Sequence, residues 1–93
     1  MTGRAHAVRI TIRLDEAVND PQGNTVRDAL RALGHDDVRD VRVGKVIDLV
    51  VEAENPTEAR ERAHRMCREL LANPVIESWQ VEVVAIVETV GIA

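Results

Sequence analysis

Few side chains in this 93-residue sequence have the types and spacing that nucleophilic chemistry needs. Cys67 is the single cysteine, and His64 lies three residues before it on a predicted helix. A thiolate nucleophile needs an electropositive, accessible setting and a base that a third group orients. Cys67 falls instead in the apolar stripe of that helix, while His64 lies among arginines. The pattern therefore favours a buried structural cysteine over a nucleophile.

Metal-binding and phosphate-binding patterns are also missing from the sequence. His6, His35 and His64 fall on a leader, a turn and a helix, without the spacing of a zinc site. Asp36 and Asp37 are adjacent turn carboxylates, too few for the ligand set of Ca²⁺, and are interpreted as solvated acids. The five glycines lie apart, so no phosphate-binding loop is predicted. We expect no catalytic residue, metal or cofactor in this chain.

Three short stretches are more informative than these isolated groups. They are Asp20-Pro21-Gln22-Gly23 before a predicted helix, Val41-Arg42-Val43-Gly44-Lys45 in a predicted hairpin, and Leu70 to Glu77 with Asn73-Pro74 at its centre. For Asp20 to Gly23, a turn that sets the entry angle of the helix and an interaction role at its N-terminus remain alternatives. For Arg42 and Lys45, the alternatives are two exposed charges beside a turn and a contact with a partner.

The elements that position these stretches follow from hydrophobic periodicity. Strands are predicted at Ala7–Leu14, Val38–Val43, Val46–Ala53 and Val75–Val84, with one helix through Val26–Leu33 and a second from Pro56 to Leu71. Gly34 ends the first helix, and Gly44-Lys45 forms a tight hairpin turn between the second and third strands. The order βαββαβ predicts an α+β, ferredoxin-like fold, with an antiparallel sheet, two helices on one face and strand order 4-1-3-2. Residues 1–93 form one domain, of which residues 85–93 are an apolar C-terminal extension.

Two local signals are sharper than the periodicity. Asn55 can cap the second helix, Pro56 suits its first position, and Glu58 stands where the carboxylate of a capping box reaches back. Trp79 lies two residues before Val81 and therefore on the same face of the predicted strand. This placement favours the core for Trp79, and the alternative is an interface, where tryptophan is enriched. The first signal predicts where the second helix begins, and the second predicts which face of the last strand is buried.

The end of the last strand is apolar on both faces. The residues concerned are Val83, Val84, Ile86 and Val87. A domain of this size has no second layer to cover the outer face of its sheet. We therefore expect these residues to be buried against another subunit, and a loose chain terminus is the alternative.

Composition excludes several classes of protein. A net charge of −4 and a single aromatic residue, Trp79, argue against nucleic-acid binding, which needs a basic face and usually stacking aromatics. The longest apolar run, Val83–Val87, is far too short to cross a bilayer, and no secretory signal is recognised. One cysteine allows no internal disulfide, which suits a reducing compartment. We expect a cytoplasmic protein without nucleic-acid or membrane partners.

The order and spacing of the motifs resemble the PurS family, the small subunits of phosphoribosylformylglycinamidine (FGAM) synthase. The motifs that carry the resemblance are Asp20 to Gly23, Asp40 to Lys45, Met66-Cys67 and Leu70 to Glu77. The similarity runs from the first strand to about Val84. Two departures are Val46, where the family often has a bulkier residue, and the stretch Ala85–Ala93, which extends past the usual end.

The resemblance implies a non-catalytic adaptor in de novo purine (IMP) biosynthesis. It implies a homodimer or tetramer that joins a glutaminase subunit to a large ATP-dependent synthetase subunit and supports ammonia transfer, with Mg-ATP and glutamine bound by those partners. The candidate partner-interface residues are Asp20, Pro21, Gln22, Gly23, Arg42, Gly44, Lys45, Asn73 and Pro74. Because a fold alone does not set function, a regulatory domain that binds a small molecule such as an amino acid is the alternative.

Overall fold

A computed structural model of the chain describes residues 4–87. Three strands and two helices form the domain: β1 (Arg4–Leu14), α1 (Pro21–Ala32), β2 (Lys45–Ala53), α2 (Pro56–Met66) and β3 (Glu77–Val87), with a single π-helical turn at Cys67–Leu71 that continues α2. The sheet is antiparallel with the order β2-β1-β3. The expected α+β class, with an antiparallel sheet and two helices, is confirmed.

The core lies between α2 and one face of the sheet. Along β1, alternate residues Val8, Ile10 and Ile12 are buried, as the two-residue period of a half-buried strand requires. Ile10 pairs with Ile47 on β2 and with Val81 on β3, so one apolar layer crosses all three strands. Each fully buried aliphatic side chain contributes about 1.5–3 kcal/mol relative to exposure. The buried apolar set is Val8, Ile10, Ile12, Val51, Ala53, Ala59, Ala63, Cys67 and Ala72.

The beginning of α2 matches the sequence-based expectation. The side chain of Asn55 accepts a hydrogen bond from the backbone N–H of Glu58 at 2.8 Å, and Pro56 opens the helix. The carboxylate of Glu58 accepts from the backbone N–H of Glu54 at 2.6 Å, one residue earlier than a standard capping box. These bonds satisfy donors that a helix start otherwise leaves open.

The predicted strand at Val38–Val43 does not form, and Gly44-Lys45 is not a hairpin turn. The segment before β2 makes its hydrogen bonds with the chain around residues 16–20 instead of with β2: Arg42 donates to Glu16 and Val18, and Val43 donates to Asp20. Observed strands β1, β2 and β3 correspond to the first, third and fourth predicted strands. The sheet therefore has the 4-1-3 part of the expected order and lacks the predicted second strand. The outer edge of β2 has no neighbouring strand among the described residues.

Both boundaries of the last strand differ from the prediction. The last strand begins at Glu77 and not at Val75, because the residues before it are occupied by a turn in which the carbonyl of Asn73 accepts from the N–H groups of Ile76 and Glu77. It continues to Val87, past a bulge at Val84. Of the expected extension, residues 85–87 belong to β3 and the rest lies outside the described residues.

Helix α1 has the expected amphipathic pattern but does not bury its apolar face. Gly23 is its one buried residue. Val26 and Leu33 remain 37% and 76% exposed. Gly34 follows the helix with a φ of 106°, the left-handed conformation predicted for the residue that ends it. Because few neighbouring groups cover it, this helix offers apolar surface to another molecule.

Candidate functional site

Asp20 is the centre of the hydrogen bonds that hold the first two motifs together. It caps α1 by accepting from the backbone N–H of Gly23 at 2.9 Å, while its second carboxylate oxygen accepts from the N–H of Val43 at 2.8 Å. These backbone hydrogen bonds, from Gly23 first and Val43 second, lower the pKa of Asp20. The carboxylate therefore joins the start of α1 to the segment that precedes β2. We call this connection the junction, formed by residues 15–23 and 41–44.

Arg42 completes the junction from the other side. One terminal guanidinium nitrogen donates to the carbonyl of Val18 and the other to the carbonyl of Glu16, both at 2.7 Å. The planar fork of arginine suits two acceptors held side by side. Both terminal nitrogens of Arg42 are thus hydrogen-bonded within the chain. These bonds explain the presence of an arginine at this position without the predicted contact with a partner.

The two glycines of these motifs are places where backbones approach closely. A Cβ atom at Gly23 would lie 2.1 Å from the carbonyl oxygen of Val41, and one at Gly44 would lie 2.6 Å from the carbonyl oxygen of Ile12. No side chain fits at such distances without movement of the backbone. The glycines let α1 and the segment before β2 pack against each other and against β1.

The third motif forms a closed turn that is joined to the junction by Ile76, whose carbonyl accepts from the backbone N–H of Asp15 at 2.9 Å. The carboxylate of Glu77 accepts from the backbone N–H of Asn73 at 2.7 Å, and the side chain of Asn73 accepts from the N–H of Val75 at 3.1 Å. Pro74 is exposed, and the neighbouring Val75 and Leu70 are each 82% exposed. The turn presents apolar side chains outward while its polar groups are engaged inside.

The three motifs, distant in sequence, meet around one cleft. It has a volume of about 250 Å³ and lies at the end of the sheet where β1 finishes and where β2 and β3 begin. The lining includes Asp20 and Gln22 from the first motif, Gly44 and Lys45 from the second, and Glu77 from the third. Of the predicted partner-interface residues, Gln22 and Lys45 have exposed side chains at the cleft. Pro21, Asn73 and Pro74 are also exposed, but they are not part of its lining.

Glu77 is the residue at this cleft that the sequence argument did not single out. In the sequence, Glu77 is only the last residue of the third motif. The signal that was present is its place four residues after Asn73, a spacing that lets a carboxylate reach back to the backbone N–H of a turn.

The expected oligomer-interface residues divide between the two faces of the sheet. Val83 pairs with Val8 and packs against the core, so it is not part of an exposed surface. Val84 and Ile86 are 51% and 52% exposed, and Val87 is half-buried. Val84 also shares a shallow apolar pocket of about 200 Å³ with Val50 of β2 on the outer face. We call Val50, Val84, Ile86 and Val87 the apolar strand end; Ile86 pairs with the buried His6 and therefore lies on the face opposite Val50, at the end of the sheet.

The two groups first considered for catalysis have structural partners. Cys67 is completely buried, and burial raises the pKa of its thiol. His64 accepts a hydrogen bond through Nδ1 from the indole N–H of Trp79 at 3.1 Å. Trp79 packs against the core, as its strand parity predicted. Cys67 and His64 therefore serve the packing of α2 on the sheet.

The part of the chain that the structure describes has neither a metal-holding cluster nor a membrane-spanning helix. Within residues 4–87, no group of three or more histidine, cysteine, aspartate or glutamate side chains is arranged to hold a metal ion. None of the helices in this range is both long enough and apolar enough to cross a membrane.

The fold and the cleft define a small antiparallel α+β domain whose distant motifs converge on one end of the sheet. The sequence profile of the PurS family, described as phosphoribosylformylglycinamidine (FGAM) synthase, matches residues 7–85. The chain belongs to this family, and is thus a subunit of FGAM synthase, a ligase of purine biosynthesis.

Relatives and solved structures agree with the assignment. The PurS subunit of FGAM synthase from Methanocaldococcus jannaschii is 39% identical over 74 residues, which are 80% of this chain and 89% of the relative. The solved PurS subunit of Thermotoga maritima is 36% identical with a TM-score of 0.81, covering 90% of this chain and 97% of that one. A chain in the structure of PurLQS from Thermotoga maritima is 38% identical with a TM-score of 0.79, covering 86% and 98%.

Proposed function

We propose that this chain is a non-catalytic adaptor that joins the glutaminase subunit of FGAM synthase to its ATP-dependent synthetase subunit and supports ammonia transfer between them. The observation that carries the proposal is the convergence of the three motifs on one cleft in a chain that closely matches a chain of PurLQS. The partner subunits supply glutamine hydrolysis and the Mg-ATP site, and the assembly works in the cytoplasm.

The cleft is the surface proposed to contact a partner subunit. Asp20, Arg42 and Glu77 hold its walls through internal hydrogen bonds, which leaves Gln22 and Lys45 exposed at its rim. A preformed surface loses less conformational entropy on binding than a mobile one. The internal bonds therefore support binding indirectly, by keeping the exposed side chains in place.

The apolar strand end is the surface proposed for self-association into a dimer or tetramer. Val50, Val84 and Ile86 are each more than half exposed, which is costly for a domain that remains alone in water. This surface lies near the opposite end of the sheet from the cleft. Self-association and partner binding can then occur together on one chain.

Reconstitution tests the adaptor function directly. Synthesis of the amidine by the two larger subunits is measured with and without this chain, using glutamine or ammonium chloride as the nitrogen source. We expect glutamine-dependent turnover to require the chain and ammonia-dependent turnover to proceed without it. Equal turnover with and without the chain, for both nitrogen sources, would refute the proposed role.

Lys45 allows the contact surface to be mapped, because it is the only lysine in the sequence. An amine-reactive cross-linker can join the chain to a partner subunit only through Lys45 or the N-terminal amine. We expect a cross-link that Lys45→Arg abolishes while assembly on a sizing column is retained. Lys45→Glu should weaken assembly, whereas Arg27→Glu on α1 should not.

A further inference from the structure

Another cavity adjoins the cleft, with which it shares Arg13 and Leu14, and lies beside the end of β1 and the start of β3. Its volume is about 430 Å³, within the usual range for small-molecule sites. Strands β1 and β3 and the chain that follows β1 contribute its walls. The lining residues are Thr11, Arg13, Leu14, Asp15, Glu16, Ser78, Trp79 and Gln80.

Charges of both signs line this cavity without forming ion pairs with one another. Within residues 4–87, the side chains of Arg13, Asp15 and Glu16 take part in no salt bridge. Ser78 and Gln80 add a hydroxyl and an amide from β3, and both are exposed. A cation and two carboxylates around one space are complementary to a ligand that carries both charges.

The acidic wall of the cavity is held in place by the junction. The backbone N–H of Asp15 donates to the carbonyl of Ile76 at 2.9 Å, and the carbonyl of Glu16 accepts from Arg42 at 2.7 Å. These bonds use backbone atoms, so both carboxylates remain available. Trp79 pairs with Ile12 and directs its side chain to the core and His64, so the strand side chains that face the cavity are those of Thr11, Arg13, Ser78 and Gln80.

We propose that this cavity binds a free polar α-amino acid, an activity separate from the adaptor function. Arg13 pairs with the α-carboxylate, the carboxylates of Asp15 and Glu16 pair with the α-ammonium group, and Ser78 and Gln80 contact a polar side chain. A phosphate ester would meet two carboxylates beside one guanidinium, and a simple amine would leave Arg13 without a partner. The zwitterion is the ligand class that satisfies both signs of charge.

Binding is measurable by calorimetry in the full-length chain alone, with Trp79 fluorescence as a second readout. L-Glutamine and L-serine are titrated while Trp79 fluorescence is recorded, and calorimetry provides the dissociation constant. We expect saturable binding in the micromolar to low-millimolar range. The deaminated and decarboxylated analogues of glutamine each lack one charge and should bind at least about tenfold more weakly.

Variants separate this site from non-specific binding. Arg13→Gln and Glu16→Gln should each raise the dissociation constant about tenfold or more, because each removes one charged hydrogen-bonding partner. Arg27→Gln, on α1 and outside the cavity, should leave it unchanged, and circular dichroism confirms that each variant is folded. Absence of saturable binding, or equal binding by wild type and Arg13→Gln, would overturn the proposal. No partner subunit is present, so failure here is distinct from failure of the adaptor function.

Discussion

At the scale of single residues, Asp20 and Gly23 show how a motif typical of a family can serve internal structure. The carboxylate of Asp20 accepts from two backbone N–H groups that are 20 residues apart in sequence, those of Gly23 and Val43. Gly23 lies where a side chain would collide with the carbonyl of Val41. Both residues stabilise the shape of the cleft, and the exposed side chains at its rim are left to contact a partner.

Asp20 should make stability depend on acid pH. Its pKa is lowered in the folded chain by hydrogen bonds from Gly23 and Val43, so its contribution is fully present above the pKa of about 3.9 that it has when unfolded. The contribution is lost as the pH falls below about 4, through the lower folded pKa. We expect Asp20→Asn to reduce the acid dependence of the melting temperature between neutral pH and pH 3. A variant with the same acid dependence as wild type would contradict this.

Gly23→Ala should destabilise the fold even though it adds only one methyl group. The new Cβ would stand 2.1 Å from a backbone oxygen, and a backbone atom cannot move aside as a flexible side chain can. We expect a loss of about 2 kcal/mol or more in the free energy of unfolding, measured by urea denaturation. The matched control is Gln22→Ala at the neighbouring exposed position, which should change stability by less than about 0.5 kcal/mol. Equal effects of the two substitutions would exclude the steric explanation.

At the scale of elements, α2 is the helix that organises the core. Ala59 and Ala63 of this helix and Cys67 of the π-helical turn that continues it are completely buried, and small side chains at these positions let the helix approach the sheet. The hydrogen bond from Trp79 to His64 adds a polar connection between β3 and this helix. Because an indole N–H can only donate, His64 must present an unprotonated Nδ1 to it.

His64→Ala should therefore weaken the attachment of β3 to α2. The substitution leaves the indole N–H of Trp79 without its acceptor, and we expect a loss of about 1 kcal/mol in unfolding free energy. Trp79 fluorescence should change as well, since the environment of the only tryptophan is altered. His35→Ala, at an exposed position in the turn after α1, is the control and should change neither property. An unaltered emission spectrum for His64→Ala would argue against the hydrogen bond.

At the scale of the whole molecule, the described chain is elongated, with extents of 54 × 27 × 20 Å. Its core occupies one face of the sheet, while Val50 and Val84 lie together on the outer face and α1 leaves its own apolar residues exposed. Such a shape offers more uncovered apolar surface than a compact domain of the same length. The proposal of an adaptor that associates with itself and with larger subunits accounts for this surface.

Val84→Lys should disrupt self-association by placing a charge in the apolar strand end. We expect the dissociation constant of the oligomer to rise at least about tenfold, measured by analytical ultracentrifugation. Val46→Lys provides a matched control, because Val46 is also exposed and lies on the same face of β2 as Val50, four residues away. We expect the control to associate as wild type does. Dissociation by Val46→Lys and not by Val84→Lys would move the interface to the other end of the sheet.

The sequence by itself determined the features that depend on neighbouring residues. The alternation in β1 predicted its buried face, the Asn55-Pro56 start of α2 was found at the predicted residue, and Trp79 was assigned to the core. These signals are local because a strand or a helix start is set by residues within a few positions of one another.

Only the tertiary structure decided which distant groups meet. Residues 38–43 alternate as a strand does, yet Arg42 and Val43 bond to the chain near Asp20 and leave β2 at an edge of the sheet. The meeting of three motifs around Glu77 was likewise invisible in the linear sequence. Periodicity records which face of a segment is apolar, but a backbone N–H can donate to any acceptor that the fold brings near. Which acceptor a backbone N–H finds therefore depends on how the whole chain folds.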